Sequence, residues 1–329
     1  MTALAAPSER MGTATRRARG TAVVARFALP LLILLVVGVA AVTTPGFAEP
    51  TNFRAILINT AITGIAAVGM TAITLSGNFF SLGIGPTVIL SGCLFLASAD
   101  RFGAVLPAVL VTLAVVLLLG VVQAGVVAAG LDPIITTLAF GTIVYGVVAV
   151  RTGGEVVTAG ATQITGLATT TVLGLPLPVV VFIGLTLLTT YLLQHTVVGR
   201  QMGLVGLNRD TARTSGISVL LTTTAAFAIM SVGAALAGIF SAAQLRQMQA
   251  NDLPTLTMDI IAAVLVGGAA VAGGEASPAR SALGALLLVT LSNVMLLQGL
   301  EPGVRVFCVG VVVVLLVLVL HLVRKAGAR

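Results

Sequence analysis

The chain alternates between long apolar stretches and short polar connections from residue 27 nearly to its C-terminus. Each stretch is close to the roughly 20 residues that an α-helix needs to cross the hydrocarbon core of a bilayer. The pattern therefore predicts an all-α, polytopic membrane protein with about ten transmembrane helices. The predicted spans are residues 27–46, 55–75, 79–99, 104–128, 134–150, 175–194, 218–243, 256–274, 281–299 and 304–322.

The composition agrees with this pattern. Of the 329 residues, 58% are hydrophobic and only 8% are charged, whereas soluble domains carry about 25% charged residues. The core of a soluble enzyme cannot hide this much apolar surface, and disorder is excluded because disordered chains have low hydrophobicity. The 37 glycines suit helices that pack closely within a membrane.

The net charge of +7 does not indicate nucleic-acid binding. Beyond the N-terminal tail the basic residues are scattered between apolar runs, whereas a nucleic-acid surface needs a basic patch on a folded face. With the N-terminus in the cytoplasm, alternation through ten spans places 12 basic residues in cytoplasmic segments and 5 outside. This excess obeys the positive-inside rule and predicts that both termini are cytoplasmic.

These assignments divide the chain into three parts. A basic cytoplasmic tail covers 1–26, a transmembrane domain covers 27–323, and a short cytoplasmic tail covers 324–329. A cleaved signal peptide is an alternative interpretation of residues 1–46, but the apolar run is long compared with the roughly 7–15 residues of such a signal. An uncleaved first span is the better interpretation.

Residues that carry enzymatic chemistry are scarce. Lys325 is the only lysine and is followed by Ala326, so a phosphate-binding loop of the G-x-x-x-x-G-K-[ST] type cannot form. His195 and His321 are the only histidines, which disfavours a histidine metal site or a Ser-His-Asp triad. We therefore predict no catalytic residue, no metal site and no ATPase activity in this chain.

One acidic residue falls within a predicted span. Asp259 follows Pro254 and lies in the first turn of its helix, where the positive end of the helix dipole favours a carboxylate. Ionisable residues within membranes also mark substrate or proton paths, so Asp259 has both a structural and a functional interpretation. A single carboxylate without a basic partner is a poor proton relay.

Uncharged polar residues within the spans are candidates for a solute path, because a pore for a neutral polar solute needs hydrogen-bonding groups that face the bundle interior. Each could instead bond only to a neighbouring helix, a contact worth about 0.6 kcal/mol on average. Both interpretations stay open for every one of these residues. The candidates are Asn59, Thr60, Gln123, Tyr145, Asn293 and Gln298.

The largest predicted cytoplasmic loop, about residues 195–217, is polar, charged and interrupted by glycines. Asn208 is placed to cap a short surface helix over 209–215 that Gly216 would end. A short helix between membrane spans suits a docking site for a soluble partner, and an ordinary solvated loop is the alternative. The spacing of the residues does not decide between the two.

Several short motifs occur in a defined order along the chain. They are Gly69-Met70-Thr71 with Ser76-Gly77; Pro133, Ile135, Thr137 and Leu138; Thr152-Gly153-Gly154; Gly199-Arg200, Gly206, Asn208, Ala212 and Gly216-Ile217; Asp259-Ile260-Ile261-Ala262-Ala263-Val264 with Gly267-Gly268 and Ala272-Gly273-Gly274; and Asn293. From about residue 52 onwards the sequence resembles the permease subunits of ABC importers of the ribose, xylose and galactoside type. The order and spacing of the motifs make the set more specific than any one of them.

The resemblance implies an ABC importer permease fold in the bacterial plasma (inner) membrane, working as a pair with a second permease copy or a paralogue. It implies ATPase subunits that bind ATP and magnesium, and an extracytoplasmic solute-binding protein. This chain would bind no cofactor, only a small solute and membrane lipid. The loop would couple it to the ATPase through Gly199, Arg200, Gly206, Asn208, Arg209, Asp210, Ala212 and Gly216.

The solute implied by the resemblance is a monosaccharide, which would pass between two permease copies or within their bundles. We take as candidate residues for this path Asn59, Ser81, Gln123, Tyr145, Asp259 and Asn293.

One departure from the family pattern concerns this solute. The family's third span usually begins G-G-I-D-L-S-V-G, whereas Gly77 to Gly85 read G-N-F-F-S-L-G-I-G, so that Ser81 replaces the aspartate after a one-residue shift. S-L-G followed by a glycine is also similar to the related branched-chain amino-acid permeases. A branched-chain amino acid or a nucleoside is therefore an alternative solute. The alternative from a different class is an ion-coupled secondary carrier that uses Asp259, although such a carrier would need more buried charge.

Overall fold

The computed structural model describes residues 29–159, 164–172, 174–270 and 273–327. The predicted tail 1–26 lies outside these residues, as does the end of the second tail. The described chain is a bundle of α-helices, as the apolar pattern predicts. Its helices are α1 (Leu29–Thr43), α2 (Pro50–Leu75), α3 (Ile84–Phe102), α4 (Val105–Ala128), α5 (Pro133–Thr152), α6 (Ile164–Thr169), α7 (Leu177–His195), α8 (Val197–Leu207), α9 (Arg209–Thr214), α10 (Val219–Leu245), α11 (Leu256–Val266), α12 (Pro278–Leu297) and α13 (Pro302–Gly327).

Each of the ten predicted spans contains an apolar helix. Within the described residues, 6 helices are long and apolar enough to cross a membrane, namely α2, α4, α5, α7, α10 and α12. Three shorter apolar helices are α1, α11 and the Pro302–Leu318 part of α13. α3 is 19 residues long and carries Asp100 and Arg101 near its end. The all-α, polytopic fold class is confirmed.

The third predicted span begins later than the apolar pattern indicates. Residues 76–83 form an irregular turn after α2, and α3 begins only at Ile84. In this turn Gly77 has a φ of 71° and Phe79 a φ of 55°, which are left-handed conformations that a right-handed helix does not contain. The apolar residues of this turn therefore lie outside the membrane helix.

α11 does not fill its predicted span, residues 256–274. It ends at Val266 and is only 11 residues long, which is about 16 Å. Gly267 and Gly268 follow it, and Gly268 has a φ of 80°. The described residues of the connection to α12, 267–270 and 273–277, are not helical. Such backbone is tolerated at membrane depth only where protein or a water-filled cavity surrounds it.

α2 is the central helix of the bundle. α10, α12, α7 and α11 all pack against it, and nearly every residue from Thr60 to Leu75 is buried. Small residues let the backbones approach each other: a Cβ atom on Gly69 would lie 3.2 Å from the Cα atom of Gly233 on α10. Such contacts hold membrane helices together because lipid provides no hydrophobic driving force between them.

Two short pairs of strands lie between the helices. β1 (Val157–Thr158) pairs antiparallel with β4 (Gln247–Met248), and β2 (Thr171–Val172) pairs antiparallel with β3 (Leu175–Pro176). The first pair joins the long connection after α5 to the connection after α10, so both connections lie on the same face of the bundle. These two-residue strands leave the helical architecture unchanged.

Residues 195–217, which we expect from sequence to be a loop interrupted by glycines, are largely helical. α8 follows α7 with only Thr196 between them, and α9 completes the segment. The glycines do not break α8, so this part of the prediction is wrong. A glycine instead allows the backbones of α8 and α2 to approach closely, because a Cβ atom on Gly206 would overlap the carbonyl oxygen of Leu75 at the end of α2.

The short surface helix predicted over 209–215 is confirmed as α9, which is one residue shorter. The side-chain oxygen of Asn208 accepts a hydrogen bond of 2.9 Å from the backbone N–H of Thr211, which is the geometry of a helix N-cap. Ser215 follows the last helical residue, and Gly216, with a φ of 81°, ends the helix in the conformation that glycine favours.

We expect Gly284→Ala to destabilise the protein, because a Cβ atom at this position of α12 would overlap the carbonyl oxygen of Ala263 on α11. Overpacking of this kind costs about 1–3 kcal/mol. Gly146→Ala on α5 is the matched control, since nothing lies within 4 Å of its Cβ position. Thermal unfolding in detergent measures both, and an unchanged melting temperature for Gly284→Ala would contradict the close packing of α11 on α12.

Candidate functional site

Side-chain contacts define two faces of the bundle. Where α2 begins, Asn52 exchanges hydrogen bonds with Asn293 near the end of α12. Where α2 ends, the turn 76–83 is bonded to α9. We name these the Pro50 face and the Leu75 face after the first and last residues of α2. α2 has 26 residues, so the two faces are about 39 Å apart.

A cavity of about 220 Å³ lies between α2, α11, α12 and α13. Three of the six predicted path residues line it, so the structure brings Asn59, Asp259 and Asn293 together around one space. Asp259 also lines two adjoining cavities of about 260 and 680 Å³. We name the 220 Å³ cavity the polar cleft, after its polar lining residues Asn59, Thr63, Asp259, Ser292, Asn293 and Arg305.

Asp259 lies in the first turn of α11, where the sequence places it. The hydroxyl of Thr255 donates a hydrogen bond of 2.9 Å to the carboxylate oxygen Oδ2 of Asp259. The positive end of the helix dipole also favours the negative charge at this position. The carboxylate is therefore oriented by its own helix and at the same time lines the polar cleft.

Asn293 is held at the edge of the polar cleft by a reciprocal pair of amide hydrogen bonds. Its Nδ2 atom donates to Oδ1 of Asn52 at 2.8 Å, and Nδ2 of Asn52 donates to Oδ1 of Asn293 at 3.1 Å. Asn52 also donates to the carbonyl oxygen of Phe47 at 3.0 Å. The pair fixes α12 to the start of α2 and so supports one wall of the cleft.

Arg305 lines the polar cleft but is not among the path residues predicted from the sequence. It lies in the first turn of α13, and its side chain is half-buried. Its Nε atom is buried and has no hydrogen-bond partner in the part of the chain that the structure describes. From the sequence alone, Arg305 is one of the 5 basic residues placed outside by the predicted topology. The signal that could have found it is its position inside a predicted span, 304–322.

The other predicted path residues lie elsewhere. Ser81 is fully buried in the turn after α2, and Gln123 is buried on α4; neither the hydroxyl oxygen of Ser81 nor Oε1 of Gln123 has a hydrogen-bond partner among the described residues. Tyr145 on α5 donates a hydrogen bond of 3.0 Å to Asn251, between β4 and α11. Their contact with a solute stays a prediction.

On the Leu75 face three backbone segments meet through glycines. A Cβ atom on Gly77 would lie 2.8 Å from the Cα atom of Gly206, and one on Gly273 would lie 2.5 Å from the Cα atom of Gly77. The backbone N–H of Gly274 donates to the carbonyl oxygen of Leu75 at 3.0 Å. We name the contact among Gly77, Gly206, Gly273 and Gly274 the glycine junction. It joins the end of α2, the end of α8 and the segment after α11.

A side-chain contact reinforces the glycine junction. Arg209, the first residue of α9, donates from Nη2 to Oδ1 of Asn78. Asn78 donates in turn to the hydroxyl of Ser76 at 2.8 Å, and both Asn78 and Ser76 are fully buried. α9 is thus fastened to the transmembrane core by a buried polar network.

The predicted coupling residues divide into those that pack inwards and those that face outwards. The inward residues hold the segment against the bundle, and the outward ones are free to contact a partner. Gly199 and Ala212 are buried, Gly206 and Arg209 are half-buried, and Arg200, Asn208, Asp210 and Gly216 are exposed.

Comparison with known proteins shows the family of the chain. A family model described as the permease component of branched-chain amino acid transport systems matches residues 52–321. The chain is also 31% identical to the ribose import permease protein RbsC of Escherichia coli (strain K12) over 294 residues, which are 88% of this chain and 91% of that protein. The chain belongs to this permease family. It is a multi-pass membrane transport protein.

Two further relatives of this permease are import proteins for other solutes. The galactofuranose transporter permease protein YtfT of Escherichia coli (strain K12) is 30% identical over 80% of this chain and 78% of its own length. The fructose import permease protein FruF of Bifidobacterium longum (strain NCC 2705) is 30% identical over 75% of this chain and 72% of its own length. No solved structure matches the chain. The resemblance to ABC importer permeases stated from the sequence motifs is confirmed.

We expect the Asn52–Asn293 pair of this permease to behave as one energetic unit. Asn52→Ala and Asn293→Ala should each lower the free energy of unfolding by about 0.5–1.5 kcal/mol, because each removes both hydrogen bonds of the pair. The double variant should lose little more than either single variant, since the interaction is already gone. Unfolding titrations in mixed detergent micelles give these values.

The control for this cycle combines Asn52→Ala with Tyr145→Phe, which removes the distant hydrogen bond to Asn251. The effects of this second pair should add, because the two contacts share no partner. Additive effects for Asn52→Ala and Asn293→Ala would contradict the reciprocal pair.

Proposed function

We propose that the chain is the membrane-spanning permease of an ATP-driven importer of the ABC class. A separate ATPase subunit, which binds ATP and magnesium, docks on α8 and α9 at the Leu75 face. That face is cytoplasmic, with both chain termini on its side, and the Pro50 face receives solute from an extracytoplasmic binding protein. The excess of 12 basic residues over 5 supports this orientation. A second permease copy or a paralogue completes the membrane part.

The observation that carries this proposal is the attachment of α9 to the transmembrane core. Arg209 donates a hydrogen bond to the buried Asn78. At the glycine junction, the end of α8 is in close backbone contact with the end of α2 and with the segment after α11. Because closely packed interiors transmit strain, a displacement of α9 acts on the segment that leads back to α11. α11 carries Asp259 near its other end, in the polar cleft.

We propose a monosaccharide as the solute. The relatives are named for ribose, galactofuranose and fructose, and the polar cleft offers hydroxyl, amide, carboxylate and guanidinium groups to a hydroxyl-rich ligand. The aspartate that Ser81 replaces belongs to the turn at the Leu75 face, so its absence leaves the polar cleft intact. The names of the relatives and the lining of the polar cleft both favour a monosaccharide over a branched-chain amino acid or a nucleoside.

The experiment that tests the proposed function is purification of the tagged chain from its native membrane in a gentle detergent, with mass spectrometry of the proteins that accompany it. We expect a P-loop ATPase in a stoichiometric amount. A chain that purifies alone from a membrane that contains its genomic neighbours would overturn the proposal. It would favour the ion-coupled carrier, for which Asp259→Asn uptake measurements are the next test.

We expect the double substitution Arg209→Ala with Asp210→Ala to uncouple ATP hydrolysis from solute uptake. Arg209→Ala removes the contact with Asn78, and Asp210→Ala removes an exposed charge of α9. Uptake per ATP hydrolysed should fall by about tenfold. A change of this size corresponds to a typical coupling free energy between two sites. Proteoliposomes that contain the permease, its ATPase and its binding protein allow both rates to be measured.

Arg101→Ala is the control, since Arg101 is an exposed arginine at the opposite end of the bundle. It should leave the ratio of uptake to hydrolysis unchanged, and all variants should reach the membrane at the same level. A normal ratio in the Arg209→Ala, Asp210→Ala protein would contradict the docking role of α9.

A further inference from the structure

One arginine at the Pro50 face differs from its neighbours. Arg54, Arg101, Arg151 and Arg246 are exposed, as expected of residues that only set topology. Arg305 is half-buried and lines the polar cleft, and its buried Nε atom has no hydrogen-bond partner among the described residues. A topology signal requires charge near the membrane surface and no burial. The burial of Arg305 therefore indicates a second role.

The charges that line the polar cleft cancel. Asp259 and Arg305 are its two charged lining residues. Asp252 lines the adjoining 260 Å³ cavity, and its carboxylate accepts a hydrogen bond of 2.6 Å from the backbone N–H of Gln249. A ligand with a net charge would leave one of these half-buried charges uncompensated, which is costly where water is partly excluded. The polar cleft therefore favours a ligand without net charge.

The uncharged lining residues distinguish between two kinds of neutral ligand. Asn59, Thr63 and Ser292 each both donate and accept hydrogen bonds, as do the hydroxyl groups of a polyol. A zwitterionic amino acid would use Asp259 and Arg305 but would leave these amide and hydroxyl groups without partners, at a cost in binding free energy. A ligand with many hydroxyl groups satisfies all five side chains.

We propose that Asp259 and Arg305 together determine the specificity of the polar cleft for a neutral, polyhydroxylated ligand. The carboxylate of Asp259 accepts hydrogen bonds from ligand hydroxyl groups, and the guanidinium of Arg305 donates to ligand oxygen atoms. Thr255 is a positioning residue, because its hydroxyl orients the carboxylate. The inference rests on the proposed function for the class of solute, but binding in the cleft needs no ATP and is tested without it.

The first measurement probes the charges of the cleft without any ligand. Cys93→Ser and Cys308→Ser remove the natural thiols, and Ser292→Cys places a reporter thiol in the wall of the cleft. The full chain in lipid nanodiscs is then labelled with two methanethiosulfonate reagents of similar size, one cationic and one anionic. Asp259→Asn should lower the ratio of cationic to anionic labelling rates by about threefold or more, and Arg305→Gln should raise it by a similar factor.

Matched controls remove a charge of the same sign from exposed positions of the same face. Glu301→Gln is the control for Asp259→Asn, and Arg101→Gln is the control for Arg305→Gln, since both side chains are exposed. Neither control should change the labelling ratio. A ratio that does not respond to Asp259→Asn and Arg305→Gln would overturn the charged lining of the cleft, whatever the transport activity of the chain.

The second measurement identifies the class of ligand by protection of the same thiol. The probes are D-ribose, D-galactose, D-fructose and L-valine, each at saturating concentration. We expect at least one sugar to slow the labelling of the Ser292→Cys protein and L-valine to leave it unchanged. Asp259→Asn or Arg305→Gln should weaken the protecting sugar's apparent affinity by about tenfold or more, as expected for lost hydrogen bonds to charged groups.

Protection by L-valine alone, or by none of the probes, would overturn the assignment of a polyhydroxylated ligand. Equal protection of the Ser292→Cys protein with and without Asp259→Asn or Arg305→Gln would overturn the roles of Asp259 and Arg305. These outcomes are independent of the proposed function, because a missing partner ATPase would leave both labelling measurements unchanged. We expect the sugar to lose its protection in Thr255→Val and to regain it in Thr255→Ser. This pair of results would separate the positioning of Asp259 by the Thr255 hydroxyl from a general loss of folding.

Discussion

Backbone-to-backbone contact at the glycine junction is the interaction on which the rest of the arrangement depends. The end of α2, the end of α8 and the segment after α11 approach there so closely that a side chain on Gly206 would overlap the carbonyl oxygen of Leu75. The close approach and the Arg209–Asn78 hydrogen bond therefore determine where α9 is held.

The helices of the bundle are predictable from the sequence because hydropathy is a local property of about 20 residues. The prediction fails where a contact distant in sequence decides the conformation. In α8 the low helix propensity of Gly206 costs about 1 kcal/mol, and packing on α2 outweighs it. In the turn after α2 the apolar Phe79 continues the hydrophobic pattern, yet a left-handed backbone ends the helix before it.

The candidate site is predictable only in part, for a related reason. Polar residues within a span are costly and therefore conspicuous, so Asn59, Asp259 and Asn293 can be selected from the sequence. Hydropathy does not say which way a side chain points around its helix. Gln123 has the same signal and lies on a different helix interface, whereas Arg305 resembles a topology charge and lines the polar cleft.

The difference in length between α2 and α11 bears on how a displacement at the Leu75 face reaches the polar cleft in the proposed function. α2, about 39 Å long, spans the distance between the faces and is buried over most of Thr60 to Leu75, so in the proposed function it is the fixed element. α11 is about 16 Å long and is followed by a glycine pair, and Gly274 of the same connection bonds to Leu75 in the glycine junction. A short rigid helix joined to the bundle through such a connection can tilt as a unit. In the proposed function, motion of α9 would therefore move Asp259 relative to Asn59 on α2 and change the shape of the polar cleft without unfolding any helix.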